Sequence, residues 1–109
     1  MLKPILKICM LFFITTSIQA QVVIASTYGN ESGNITANGE KFHPNQLTAA
    51  HKTLKFGTKL KVTYKGKSVV VRINDRGPYI RGRSLDLSTG SAKKIGFSGV
   101  GKVKIEKLN

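Results

Sequence analysis

The sequence predicts a small all-β barrel carrying one short helix, and three observations predict it. Apolar and polar residues alternate at a period of two in several short runs. Turn-forming residues separate those runs. Long helical periodicity is absent, while Val, Ile, Thr and Tyr, which suit a pleated surface, are frequent beyond the first twenty positions. Five or six short strands and one small helix in under ninety residues fit a closed barrel, which leaves no sheet edge open.

The elements follow in order. Residues 21–28 (QVVIASTY) read as a first strand, and 30–39, rich in Gly, Asn and Ser, as a loop. His43-Pro44 marks a turn, and 48–51 (TAAH) is a short strand. After Gly57, Leu60, Val62 and Tyr64 alternate with Lys59, Lys61 and Thr63. Lys65-Gly66-Lys67 is a hairpin turn, with Gly66 suited to a positive φ. The return strand, 68–74, sets Val69, Val71 and Ile73 on one face. Asp75 shares their parity, so a strand running straight to its end would place this carboxylate at the rim of the apolar face. Residues 83–87 form another strand. Ser88 caps a helix that buries Ala92 and Ile95, places Lys93 and Lys94 at its C-terminal end and stops at Gly96. Residues 99–108 are the last strand.

Residues 1–20 read as a secretory signal: Lys3 and Lys7 precede an apolar run, and Ala20 ends it on a small residue suited to cleavage. The run is shorter than the ~20 residues that a spanning helix needs. Cys9, the single cysteine, lies inside it without a lipoprotein pattern, so no stable membrane anchor is expected after cleavage. The domain would then be residues 21–109, a single cysteine-free unit held by burial rather than by disulfides. The expected location is the periplasm or the exterior.

The chain carries 18 basic and 5 acidic residues, and such a field attracts polyanions. Export argues against nucleic acid and for anionic cell-wall material. Carboxylates are therefore scarce. Glu40, His51, Asp75 and Asp86 could act in acid–base work, and three of the four fall in loops or at strand ends beside Gly, Pro or Arg, which marks them as candidates for a site. His43 and His51 show no metal-ligand spacing, and no Gly-rich stretch matches a phosphate or dinucleotide loop. No metal or cofactor is expected.

The segments TANGEKF, LTAAHKTLKFGT, VVVRINDRGPYIRGRSLDLS and GVGKVKIE, in this order, resemble the double-psi β-barrel domain of the rare lipoprotein A (RlpA-like) family of septal peptidoglycan lytic transglycosylases. The resemblance covers nearly all of residues 21–109. It implies a six-stranded barrel, an envelope location, and endolytic cleavage between N-acetylmuramic acid and N-acetylglucosamine that leaves 1,6-anhydromuramic ends. It implies a groove lined by Asp75 of NDRGP, His51 of AAH and Glu40 of ANGE. The LDLS segment also resembles a stretch of expansins in which the aspartate is functional, here Asp86. The chain lacks the family's lipoprotein cysteine and C-terminal glycan-binding module, so a separate partner would supply septal targeting.

Because the muramyl 6-hydroxyl is an internal nucleophile, one carboxyl group can serve as acid and then base, and Asp75 is the candidate. Glu40 would raise its pKa or bind sugar hydroxyls, and His51 would orient Asp75 or hold the sugar. Arg76 is expected to turn away from Asp75, towards substrate carboxylates. Tyr28 and Tyr79 are candidate stacking surfaces for sugar rings, and Asn38 and Asp86 candidate substrate contacts. Each has a plainer alternative: a turn cap for Asp75, a core histidine for His51, a solvated charge for Glu40, a structural pair for Asp86, aromatic core for the tyrosines. The competing function is a non-catalytic, expansin-like peptidoglycan-binding module.

Overall fold

The computed structural model describes residues 19–29 and 35–109. The segment read as a secretory signal lies outside the described residues except for its last two positions, as does the part of the first loop from 30 to 34. Six strands, β1 (Ala20–Tyr28), β2 (Thr48–His51), β3 (Lys59–Tyr64), β4 (Lys67–Asp75), β5 (Leu85–Ser88) and β6 (Gly101–Lys107), and one helix, α1 (Thr89–Lys94), make up the domain. The strands close into a barrel in the order β1-β5-β2-β4-β3-β6. β1 with β5 and β2 with β4 run parallel, and the remaining neighbours antiparallel.

Alternation builds the interior. Ala25, Ala49, Leu60, Val62, Val71, Ile73, Leu85, Leu87, Val103 and Ile105 point inward and are buried, with Phe97 and Ile95 closing the core beside α1. Each Leu, Ile or Val among them withdrawn from water contributes roughly 1.5–3 kcal/mol. The β3–β4 hairpin is tighter than expected. Tyr64 pairs with Lys67, so the loop is Lys65-Gly66 alone, and both residues have positive φ (47° and 84°), as a two-residue turn with the right twist demands.

α1 follows the sequence reading. The Ser88 hydroxyl accepts from Ser91 N (3.2 Å) and donates to Gln46 O (2.6 Å), and Ser91 Oγ donates to Thr48 O (3.0 Å). The buried serine pair thus locks the helix onto the chain entering β2. Gly90 N donates to Pro44 O at 2.7 Å, and a Cβ on Gly90 would stand 2.5 Å from Asn45 O. The helix can approach that turn only because position 90 has no side chain.

The end of β4 departs from the straight strand expected. Ala49 pairs with Ile73, but Ala50 pairs with Asp75, so β4 gains one residue at Asn74. This bulge breaks the parity of Ile73 and Asp75. Asn74 is buried (1% exposed), and Asp75 turns to the outer face instead of the rim of the apolar one.

Replacing Gly90 by Ala should destabilise the domain by about 1–3 kcal/mol, the usual cost of forcing atoms into filled space. At this size the loss should lower Tm by at least ~4 °C in a thermal melt. An unchanged Tm would mean that the 44–45 turn yields freely.

Candidate active site

The bulge assembles a row of polar residues on the outside of the barrel. Register places Asp75 of β4 beside Ala50 of β2, Ala50 beside Asp86 of β5, and Asp86 beside Ser26 of β1. The two carboxylates flank Ala50, with α-carbons about 10 Å apart, two strand spacings. Ser26 Oγ donates to Asp86 Oδ1 at 2.9 Å.

Asp75 is held asymmetrically. Ala37 N and Arg76 N both donate to Oδ1 at 2.9 Å. Among the described residues Oδ2 receives no hydrogen bond. A proton on this carboxyl therefore belongs on Oδ2, the oxygen that faces away from the donors.

Ala37 is in place because the turn around it is clamped to β4. Glu40 accepts from Arg72 through both guanidinium nitrogens (2.6 and 2.9 Å), from Asn38 Nδ2 (2.8 Å) and from Asn74 Nδ2 (3.2 Å), while Asn38 N donates to Asn74 O (3.2 Å). Four donors fill the roughly four acceptor positions of a carboxylate. Arg72 first, then Asn38 and Asn74, stabilise the charged form and pull the Glu40 pKa down to about 2. The expectation that Glu40 raises the Asp75 pKa or binds sugar meets a group whose charge is already matched. Asn38 is likewise spent: its Oδ1 accepts from Glu40 N and from Thr36 Oγ1.

His51 also differs from expectation. Its Nδ1 accepts from the main-chain N–H groups of Thr53 (3.1 Å) and Leu54 (3.1 Å). The neutral ring must therefore carry its proton on Nε2. Burial, then the charges of Arg76 and Lys52, hold the pKa below the ordinary histidine value. Among the described residues His51 makes no hydrogen bond to Asp75, whose orientation comes from Ala37 and Arg76 main-chain donors instead.

The Arg76 guanidinium turns away from the Asp75 carboxylate, as expected, but it goes to protein. It donates to Leu54 O (2.9 Å) and His51 O (3.2 Å) and lies 4.0 Å from the centre of the Phe56 ring. The tyrosines separate. Tyr28 is buried (7% exposed), stacked on Phe42 with ring centres 5.1 Å apart, and unavailable as an open sugar platform. Its hydroxyl lies by Thr48 and within the field of Asp75 and Asp86, and burial chiefly pushes its pKa up to about 12. Tyr79 is 79% exposed. Among the described residues no group of three His, Cys, Asp or Glu could hold a metal, and no helix is long and apolar enough to cross a membrane.

Sequence reasoning missed Arg72, Asn74 and Ala37. Arg72 looked like an ordinary outward residue of an alternating strand, and a main-chain donor such as Ala37 N has no side-chain signature at all.

The family model described as "Lytic transglycolase", of the double-psi β-barrel class, matches residues 20–107. The chain belongs to this family. Its lytic transglycolase domain is similar to two proteins named "Probable endolytic peptidoglycan transglycosylase RlpA". One, from Synechocystis sp., is 59% identical over 88 residues (76% of this chain, 27% of that protein), and the other, from Nostoc sp., is 55% identical over 92 residues (78% and 25%). The chain thus spans about a quarter of the length of these relatives. Among solved structures, the Streptomyces papain inhibitor superposes with a TM-score of 0.68 at 16% identity, covering 84% of this chain and 96% of that one, a likeness of fold. The RlpA-like domain here is therefore a six-stranded double-psi barrel.

In this lytic transglycolase domain the Glu40 clamp should be acid-labile. Its pKa is lowered from 4.5 to about 2, so its stabilisation is complete above pH 4.5 and disappears as pH falls from there towards 2. Glu40→Gln should cost about 1 kcal/mol at pH 7, a modest figure because 35% of each partner's side chain meets water. Denaturant melts across pH should show the wild-type advantage shrinking below pH 4.5. Parallel curves for the two proteins would show that the clamp is not the titrating contact.

Proposed function

We propose that this domain is an endolytic peptidoglycan lytic transglycosylase in which Asp75 is the acid and base. The observation that carries the reading is the asymmetric hold on Asp75: two N–H groups on Oδ1 and none on Oδ2. Protonated Oδ2 gives its proton to the oxygen leaving N-acetylmuramic acid C1, and the C1–O bond breaks. The muramyl 6-hydroxyl closes on C1, and its proton returns to Oδ2. The carboxyl ends as it began, no water is consumed, and the product is a 1,6-anhydro end.

Glu40 acts at one remove. Ionised and matched by Arg72, it holds the turn that aims Ala37 N at Asp75. His51 contributes a fixed Nε2–H donor for a sugar oxygen. Asp86, tied by Ser26 and in the same row, supplies a second negative charge where positive charge develops on the ring. The substrate would be peptidoglycan glycan strands in the periplasm or outside the cell, and a separate partner would bring the domain to its place of action.

Asp75→Asn should fold and bind glycan strands while losing product at least ~10²-fold, the scale of a removed acid–base group. Purified sacculi digested with wild type should yield 1,6-anhydromuramic ends by mass spectrometry. Reducing ends would overturn the internal-nucleophile route, and an active Asp75→Asn would remove Asp75 from the chemistry. Binding without release by wild type would favour the non-catalytic wall-binding module.

Export should follow cleavage between Ala20 and Gln21, by the pattern of a basic start, an apolar run and a small residue. Intact-mass measurement on envelope protein should give a chain beginning at Gln21. A mass that retains Cys9 would exclude removal of the leader.

A further inference from the structure

One segment beside the site is unexplained by the core. In the loop from Gly77 to Arg83, Tyr79 is 79% and Ile80 55% exposed, and Arg81 and Arg83 follow them. The loop begins two residues after Asp75. It is pinned at its far end, where Ser84 N donates to Ile24 O (2.9 Å), and turned internally by Arg83 N donating to Ile80 O (3.1 Å). The Tyr79 ring is not splayed at random: a Cβ on Gly77 would lie 3.6 Å from its edge, so the ring folds back over the chain next to Asp75. The rest of the side chain is open to water. Among the described residues neither the Arg81 nor the Arg83 guanidinium makes a hydrogen bond or ion pair, unlike Arg72, held by Glu40, and Arg76, held by carbonyls.

We propose that this loop is a subsite for a carboxylate-bearing sugar, with Tyr79 against the ring and Arg81 and Arg83 on the carboxylate. The proposal rests on the glycan-cleaving reading above and adds what that reading leaves open, which residues recognise the charge of the strand. A planar guanidinium fork suits a carboxylate better than a neutral hydroxyl. An aromatic face beside it supplies apolar contact area at low entropic cost. In a peptidoglycan strand the acidic group at hand is the lactyl carboxylate of muramic acid, which is set free when the stem peptide amide-linked to it is removed. A neutral N-acetylglucosamine polymer offers nothing to the arginines. The loop would thus choose muramyl strands over chitin-like ones at the point of cleavage.

The test measures binding by calorimetry with purified protein and three probes: peptide-free glycan strands from sacculi, the same strands with carboxylates converted to methyl amides, and chitohexaose. Wild type should bind the carboxylated strands about tenfold or more tightly than either neutral probe. Arg81→Gln, at an exposed position where folding should be unaffected, should cut that ratio several-fold, and Arg81→Gln with Arg83→Gln should abolish it. Tyr79→Ala should weaken all probes alike. Equal affinity of wild type for carboxylated and amidated strands, or an undiminished ratio in the double variant, would overturn the assignment. Because the readout is binding, the two proposals fail separately. Anhydro products without carboxylate preference would sink the subsite and spare Asp75, whereas carboxylate-selective binding without products would do the reverse.

Discussion

The site depends on one extra residue in β4. Without the bulge at Asn74, Asp75 would keep the parity of Val71 and Ile73 and point into the apolar barrel, where an unpaired carboxylate is costly. With it, Asp75 stands in line with Ala50, Asp86 and Ser26 on the outer face. A bulge leaves ladder groups unpaired, and the 36–40 turn takes them up: Asn38 N meets Asn74 O, and the Asn74 amide meets Glu40. Turn and bulge need one another. The turn has no other anchor on β4 comparable to the Glu40–Arg72 pair, and the bulge would strand Asn74, buried as it is, without the turn.

On the proposed reading, this mutual dependence explains how so basic a chain keeps a carboxyl group free for acid–base work. Cations near Asp75 would bind it as a salt bridge and end its chemistry. Two arginines close to it in the chain are both engaged elsewhere. Arg72 is matched by Glu40, and Arg76 is drawn to the carbonyls of His51 and Leu54 and to the face of Phe56. What Asp75 receives from Arg76 is its main-chain N–H rather than its charge. Glu40 thus affects Asp75 by removing a cation and by placing a turn.

Much of the barrel was legible in the chain. Alternation in residues 59–64 and 69–73, the glycine in the β3–β4 turn, and Ser88 with Gly96 around α1 are local signals, and local signals survive folding because each reports one element's own geometry. Closure in the order β1-β5-β2-β4-β3-β6 has no such local mark; the resemblance carried by AAH and NDRGP implied a six-stranded double-psi barrel, and the order itself comes from the structure. The parity of Asp75 was misread for a definite reason: a bulge is set by the partner strand and by Asn74's contacts, neither of which is visible in a period-two pattern. Tyr28 was misplaced similarly, since the residue that buries it, Phe42, comes from a loop whose path only the tertiary structure shows.

His51 narrows the chemistry further. A histidine beside a carboxylate invites a relay in which imidazole takes the proton. Here two main-chain N–H groups occupy Nδ1, so the neutral ring has no lone pair to offer except at the price of its Nε2–H orientation. Protonation would break both Nδ1 contacts, and burial and neighbouring cations already oppose the charged form. The imidazole is therefore built to donate and to stay neutral. In the proposed reaction the proton carrier is Asp75 Oδ2, which receives no hydrogen bond among the described residues while Oδ1 is held by two main-chain N–H groups. A single carrier suits a reaction whose nucleophile brings its own proton and whose leaving group takes one away.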